Sequence, residues 1–318
     1  MKRSIRQLTE EEKEQLLEIA MKKKNGEIES TWNEIADRFN VTDGEKIRGF
    51  VNKYRQTIGD LKDYKNHVVE KVLVISDLHV PHHDEECILE IIKENPVHTI
   101  IIGGDVLDGL SVSAWGNFTT PPDLDTELIE AHKLFQKIRE ITNAKIYMIQ
   151  GNHDNRWRKL DMKKGLQCMS SLIIDGQRAL VEGINLGEEE DRKYYPPISN
   201  MVYIPKCSMK YAEDVMIVHP AIFRKSSLAT IQTLYSERIR WTNPEIKAIF
   251  GGHTHKLAAG IFQNVLISET GCCCSLPDYA KDDSKPMGLT SKGAVRFNLI
   301  NGKVDINSIN LIYKGIPV

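Results

Sequence analysis

The sequence lacks any uninterrupted apolar run close to the roughly 18 residues that a membrane-spanning helix needs. Its N-terminus, MKRSIRQLTEEEKEQLLEIA, has basic residues but no apolar core of the kind found in signal peptides. An excess of one charge is also lacking, because 42 basic and 44 acidic residues give a net charge of −2. We therefore expect a cytoplasmic protein with no membrane partner, in which any affinity for nucleic acid comes from a local patch.

Cysteine pairs with the spacing of a zinc knuckle are absent, since none of the six cysteines forms a CxxC motif. Three cysteines are scattered, whereas Cys272, Cys273 and Cys274 are consecutive. Neighbouring residues in such a triplet rarely have the geometry of a disulfide bond. We expect reduced thiols throughout, and the alternative for the triplet is metal binding.

Residues 1–66 have the pattern of a separate domain of three helices. Thr9 with Glu12 precedes LLEIAMKK, and Thr31 with Glu34 precedes IADRF, so two segments begin with a capping box. A third segment, VTDGEKIRGFVNKYRQ, opens with a turn signal and has apolar residues at helical spacing. Two short helices around a tight turn, after a longer first helix, resemble a helix-turn-helix module.

The third predicted helix is rich in basic residues, which favours contact with the phosphates of DNA. The alternative is a small helical bundle with solvated charges that packs on the main domain or mediates homo-oligomerisation. The four residues that we predict to contact nucleic acid are Lys46, Arg48, Lys53 and Arg55.

From about residue 70 the pattern changes to short β-rich runs separated by helical segments. KVLVIS, HTIIIGG and AKIYMIQ alternate with DEECILEIIKEN and DTELIEAHKLFQKIREI, which predicts an α/β domain over residues 70–318. The stretch at about 160–210 predicts an irregular insertion at the rim of a site. Asn301-Gly302 lies between two alternating runs and predicts a β-hairpin.

Five of the apolar runs end in Asp, Asn or His residues that a turn alone would not require. Ligands bind at the carboxyl ends of the strands in open α/β sheets, so we expect these side chains to meet. The seven candidate metal ligands at these ends are Asp77, His79, Asp105, Asn152, His219, His253 and His255.

Oxygen donors mixed with imidazoles suit borderline divalent metals, of which we favour manganese, with iron, zinc, nickel and cobalt as alternatives. The middle residue of D-x-H and of H-T-H would place both ligands on one side of an extended chain. Seven ligands are too many for one tetrahedral site. They suit two cations roughly 3.5–4 Å apart with a bridging carboxylate.

The order of the motifs D-x-H, G-D-x-x-D, G-N-H-D, H and G-H-T-H resembles the calcineurin-like metallophosphoesterase superfamily over about residues 71–275. The whole chain is most similar to members found in bacteria and their phages, so a phage-encoded protein would act in the host cytoplasm. The resemblance implies a four-layer α/β/β/α sandwich beside the small all-α domain. It also implies two cation sites bridged by Asp105, one formed by Asp77, His79 and His255 and the other by Asn152, His219 and His253.

The same resemblance would place His153 beside the cations without binding them. We hypothesise that His153 contacts the phosphate or protonates the leaving oxygen, and that Asp154 orients its imidazole. Arg156 could clamp a phosphate oxygen, although an arginine on a loop is often simply solvated. For Asp108 two alternatives stay open, a group that supports the ligands or a helix N-cap.

The predicted reaction is attack on phosphorus by a water molecule that two cations activate. GDVLDGL lacks the Arg that protein Ser/Thr phosphatases of the superfamily carry after the second Asp, and its repair exonucleases usually have His where this chain has Asp108. We favour a phosphodiesterase or nuclease acting on nucleic acid or nucleotides. The alternatives are a phosphomonoesterase for a nucleotide or phosphoprotein, and a DNA-binding protein with a vestigial metal site.

Overall fold

The chain divides into two compact units, Met1–His67 and Val68–Val318, and each has its own apolar core. Among the helices described, none is both long and apolar enough to cross a membrane. The structure is a computed structural model, and it describes residues 2–4, 7–24, 28–51, 68–112, 123–156, 175–186, 192–275 and 290–317.

The N-terminal unit contains helices α1 (Glu10–Lys24), α2 (Trp32–Arg38) and α3 (residues 44–51). Both predicted capping boxes are formed. In the second of them the Thr31 hydroxyl accepts from the Glu34 amide at 3.2 Å, and the Glu34 carboxylate accepts from the Thr31 amide at 2.7 Å. The apolar faces of the three helices meet in a buried cluster that includes Leu16, Ile35, Ile47 and Val51.

A close approach of α2 and α3 requires Gly44, because a Cβ atom there would lie 2.7 Å from the Trp32 carbonyl oxygen. Of the four basic residues predicted to contact DNA, Lys46 and Arg48 are exposed on α3. Lys53 and Arg55 lie outside the described residues, so the helix-turn-helix interpretation stays a prediction.

The larger unit is built from two mixed sheets and a small two-stranded pair. The first sheet has the strand order β13-β12-β1-β2-β3-β6, and the second has the order β10-β11-β9-β8-β7. The strands are β1 (Val69–Ile75), β2 (Thr99–Ile102), β3 (Lys145–Ile149), β4 (Ile184–Leu186), β5 (Lys193–Tyr195), β6 (Met201–Ile204), β7 (Ser208–Ala212), β8 (Val215–Val218), β9 (Ala248–Gly251), β10 (Leu257–Phe262), β11 (Val265–Thr270), β12 (Lys292–Ile300) and β13 (Lys303–Gly315).

Parallel strands form the centre of each sheet and antiparallel strands complete its edges. In the first sheet β1, β2, β3 and β6 are parallel, and β12 joins β1 in the antiparallel sense. In the second sheet β8, β9 and β11 are parallel. The carboxyl ends of β1, β2 and β3 therefore meet at one edge of the first sheet, and those of β8 and β9 meet at one edge of the second.

Helices cover the outer faces of both sheets. Helices α4 (Glu85–Glu94), α5 (Leu124–Ile141) and α6 (Gly176–Glu182) pack on the first sheet, and α7 (Ala229–Leu234) packs on the second. Helix α4 follows the amphipathic pattern of its sequence. Isoleucines at helical spacing are buried, and the Asp84 side chain caps the first turn.

The two sheets bury a second apolar layer between them. Phe250 of β9 stacks on Phe297 of β12, with ring centroids 4.5 Å apart and planes 7° from parallel. The layers are thus helix, sheet, sheet and helix, which confirms the predicted four-layer α/β/β/α fold.

The prediction of an irregular insertion at 160–210 is wrong for the part of it that the structure describes. Residues 176–182 are helical, β4 pairs with β5, and β6 joins the first sheet beside β3. The strands in this stretch are only three or four residues long, and polar residues and prolines separate them. Runs this short do not show the alternation of apolar and polar residues that predicts a strand. The predicted hairpin at Asn301-Gly302 is confirmed between β12 and β13.

Candidate metal centre

The seven side chains predicted as metal ligands converge where the two sheets present their carboxyl ends. The Nε2 atoms of His79 and His255 are 3.2 Å apart, although one follows β1 and the other follows β9. Nε2 of His219 lies 3.1 Å from Oδ2 of Asp105 and 3.0 Å from Oδ1 of Asn152. Ligands from both sheets therefore line one site.

The ligand-bearing turns have left-handed backbone, which non-glycine residues seldom adopt. The φ angles are +56° at Asp77, +49° at His79, +52° at Asp105, +77° at His253 and +56° at His255. Our explanation of D-x-H and H-T-H by an extended chain is therefore wrong. Asp and His tolerate this region better than most residues, and such angles concentrate at functional sites.

Gly151 explains why a glycine comes before the Asn-His-Asp motif. A Cβ atom at this position would lie 2.0 Å from Oδ1 of Asp105 and 2.2 Å from its backbone nitrogen. Any other residue would push the two strand ends apart. The glycine thus lets the turn after β3 approach the turn after β2, and the His153 amide then donates to Asp105 Oδ1 at 2.8 Å.

The arrangement fits two divalent cations that share one carboxylate. Potential ligand atoms of Asp105, His219 and His253 lie within 4.8 Å of one another, and so do those of His79, Asp105 and His153. Oδ2 of Asp105 lies 3.1 Å from Nε2 of His219 and 3.8 Å from Nε2 of His79, so this carboxylate is close to a candidate ligand of each site, as a bridging ligand would be. Carboxylate oxygens combined with imidazole nitrogens are donors that borderline divalent metals accept.

The electrostatics of the site favour positive charge. Burial alone would raise the pKa of Asp77, but the imidazoles of His255 and His219 outweigh burial and lower it to about 2. Burial would lower the pKa of His219, yet the Asp105 carboxylate raises it to about 9. His253 has its pKa lowered to about 4 by burial and by His219, so its ring is neutral and can offer a lone pair.

Asp108 joins one predicted metal ligand to the predicted proton donor. Its Oδ1 atom lies 2.9 Å from Nδ1 of His79 and also 2.9 Å from Nδ1 of His153. Since a carboxylate only accepts, both rings carry a proton on Nδ1 and direct Nε2 elsewhere. Of the two alternatives for Asp108, the structure therefore supports the group that positions other residues.

The orienting role that we gave to Asp154 is wrong, because Asp108 occupies that position. The Asp154 carboxylate is instead held by the amides of Val106, Leu107 and Gly151 and by the side chain of Gln177. Burial, with Asp105 nearby, raises the pKa of Asp154 to about 7. Asp154 fastens the turn after β3 to the turn after β2.

Arg156 lies beside His153 and hydrogen-bonds with both His153 and Asp108. Nη2 of Arg156 donates to Nε2 of His153 at 2.9 Å, and Nη1 donates to the Asp108 carbonyl oxygen at 2.9 Å. A guanidinium cannot accept a hydrogen bond, so Nε2 of His153 accepts and its ring is neutral in this arrangement. The guanidinium that we predicted as a phosphate clamp is thus held at the site by two hydrogen bonds.

Sequence reasoning missed two residues that support the site. Glu127 of α5 is fully buried and accepts from the amides of Gly109 and Leu110, directly after Asp108. Burial raises the pKa of Glu127 to about 8. Gln177 of α6 reaches Asp154 from an element that we had predicted to be irregular. Neither residue belongs to a recognisable sequence motif, so its supporting role can be seen only in the folded structure.

A family model for calcineurin-like phosphoesterases matches residues 70–257, more than half of the chain. The chain belongs to the calcineurin-like phosphoesterase family. This confirms the predicted family and a metal-dependent phosphoester hydrolase. It also agrees with the two groups of candidate ligands around Asp105.

Several solved structures also resemble this one. An archaeal phosphodiesterase is 16% identical, with a TM-score of 0.35, over 77% of this chain and 99% of its own. A predicted phosphoesterase from Streptococcus pneumoniae is 12% identical, with a TM-score of 0.32, over 78% and 99%. Vps29 from Cryptosporidium parvum is 14% identical, with a TM-score of 0.36, over 78% and 98%. No curated protein matches the chain significantly.

We predict that Asp108→Asn weakens metal binding by this phosphoesterase about 10–100-fold, the usual effect of removing a group that orients a ligand. The neutral amide oxygen would accept from the two Nδ1–H groups without the negative charge that strengthens both hydrogen bonds. Calorimetric titration with Mn²⁺ measures the change. Asp123→Asn, which alters an exposed cap of α5, is the matched control. Equal affinities in the two variants would contradict the role of Asp108.

Proposed function

We propose that the protein hydrolyses phosphodiester bonds of nucleic acids or nucleotides. The observation that carries this proposal is an exposed aromatic side chain beside the candidate metal centre. The ring of Phe223 lies edge-on to the ring of His253, with centroids 6.3 Å apart, and 41% of Phe223 is exposed. An exposed aromatic ring next to a phosphate site suits a substrate that carries a base.

The loop that carries Phe223 is also basic and firmly held. Arg224 and Lys225 are exposed, while the ammonium group of the buried Lys256 donates to the carbonyl oxygens of both at 2.8 Å. The same ammonium lies 4.9 Å from the Phe223 ring centroid. The position of the aromatic ring is thereby fixed, and positive charge beside it favours a polyanionic substrate.

The proposed cation ligands follow the family pattern. One site would comprise Asp77, His79 and His255, the other would comprise Asn152, His219 and His253, and Asp105 would bridge them. For the second site we propose manganese, because it combines amide and carboxylate oxygens with imidazoles. Two such cations, when bound, activate water for attack on phosphorus and neutralise the charge of the phosphate oxygens.

The proposed roles of this chain's own residues follow from the hydrogen bonds around Asp108. Arg156 would bind a non-bridging phosphate oxygen through the guanidinium that now contacts His153. Release of that hydrogen bond would free Nε2 of His153 beside the leaving oxygen. Nε2 could then take up a proton from solvent, Asp108 would stabilise the resulting imidazolium through Nδ1, and His153 could give that proton to the leaving oxygen.

The first test compares a phosphodiester with its monoester counterpart, using protein loaded with Mn²⁺. We expect a higher kcat/KM for the diester. Asp105→Asn serves as the blank, since loss of the shared carboxylate should cost several kcal/mol of transition-state stabilisation, or about a thousandfold in rate. A faster monoester reaction would replace this proposal with a phosphatase. Binding of two cations without any hydrolysis would favour the non-enzymatic alternative.

We expect Phe223→Leu to raise KM for a dinucleotide about 5–100-fold, because base stacking on an aromatic ring contributes roughly 1–3 kcal/mol. Leucine keeps the apolar contact with His253. A phosphodiester without any aromatic group should keep its KM. The control is Tyr313→Leu, an exposed aromatic residue on β13, which carries none of the candidate ligands. An unchanged KM for the dinucleotide would remove the support that Phe223 gives to the proposal.

The N-terminal unit would supply further contacts to nucleic acid. Support comes from Lys46 and Arg48, whose side chains are exposed on α3. A binding module tethered to a hydrolase raises the local concentration of its substrate. The module would bring DNA phosphodiesters to the catalytic unit.

Replacing Lys46, Arg48, Lys53 and Arg55 together by alanine tests this contribution in the full chain. We expect weaker binding to duplex DNA, and a salt dependence whose slope falls by about one unit for each phosphate that the variant can no longer bind. Lys22→Ala removes a lysine of α1 that is paired with Glu18, and it should leave binding unchanged. If the quadruple variant binds as the wild type does, the helix-turn-helix interpretation fails.

A further inference from the structure

The cysteine triplet lies against the loop that carries the first metal ligands. Cys272, Cys273 and Cys274 follow β11 and are fully buried. The Cys273 amide donates to the Asp77 carbonyl oxygen at 3.1 Å, and the chain at Cys274 forms a β-bridge with His83. The triplet is therefore fixed next to the turn after β1.

Alternate residues of the triplet face opposite sides. The Cys273 thiol donates to the Gly293 carbonyl oxygen at 3.5 Å and belongs to the apolar core between the helices and the first sheet. The Cys272 thiol donates to the Ser291 carbonyl oxygen at 3.6 Å. The middle thiol thus faces the core, whereas the next residue, Cys274, faces the metal centre, as the alternating side chains of an extended chain require.

Cys274 comes close enough to the first site to act as a ligand. Its Sγ atom lies within 4.8 Å of ligand nitrogens of His79 and His255, and all three side chains are buried. Nδ1 of His79 is already engaged by Asp108, so Nε2 is the nitrogen that it can offer. Thiolate and imidazole together form a donor set that zinc and ferrous iron accept readily.

We propose that the Cys274 thiolate is a ligand of the cation held by Asp77, His79 and His255. The thiol proton is released to solvent as the metal binds. The inference rests on the dinuclear centre of the proposed function and adds a soft donor to only one of its two sites. That site would select Zn²⁺ or Fe²⁺ over Mn²⁺, so the two cations would differ.

Cobalt substitution tests the proposal, because a thiolate bound to Co²⁺ gives a charge-transfer band in the near ultraviolet that imidazole and carboxylate ligands do not. We expect the full-length protein with two Co²⁺ bound to show this band. Cys274→Ser should abolish it and weaken Zn²⁺ binding at least about tenfold, the lower range of effects around metal sites. Cys273→Ser is the matched control, since its thiol faces the core, and it should keep the band.

Cys272→Ser should also keep the band, because the Cys272 thiol donates to the Ser291 carbonyl oxygen and does not belong to the ligand group of His79, His255 and Cys274. A band that disappears with Cys272→Ser and persists in Cys274→Ser would overturn the proposal. So would a wild-type protein that binds two Co²⁺ without a sulfur band, and that measurement needs no variant to fold. The proposed function can fail independently of this inference. A protein that shows the band but has no phosphodiesterase activity would contradict the proposed function and would still support Cys274 as a ligand.

Discussion

Burial of negative charge beside imidazoles is the constraint on which this site depends. Asp77, Asp105 and Asp108 are each at most 1% exposed, and a buried carboxylate without compensation costs several kcal/mol. His219 and His255 have raised pKa values because these carboxylates are beside them. Divalent cations would supply the same compensation with more charge, so a site built in this way suits them.

The chain reaches this arrangement by joining the turns after neighbouring strands. The Asp105 carbonyl oxygen accepts from the amides of Leu78 and His79, and the Asp154 carboxylate accepts from amides of the turns after β2 and β3. These hydrogen bonds hold left-handed residues that cost of order 1–3 kcal/mol each. Ligands come from both sheets, so the packing of Phe250 on Phe297 between the sheets also sets the geometry of the site.

The sequence was sufficient to predict that the candidate ligands meet, because they follow apolar strands whose period and order can be read locally. The sequence was insufficient to identify the residues that position these candidate ligands and His153. Asp108 and Asp154 have the same chemistry and similar places in motifs, and only the fold shows which one contacts His153. Glu127 lies on an ordinary amphipathic helix, so its burial depends on packing that no local pattern encodes.

Asp108 links His79, a candidate metal ligand, to His153, the proposed proton donor, through a single oxygen atom. Because Nδ1 of His79 and Nδ1 of His153 share that atom, each ring is left with Nε2 for chemistry. In His153 that nitrogen is held by Arg156. A phosphate oxygen would compete for the same guanidinium, so binding of substrate would free Nε2 to take up the proton that His153 is proposed to give to the leaving oxygen. Binding and proton transfer would then be coupled through one arginine, without any movement of the strands.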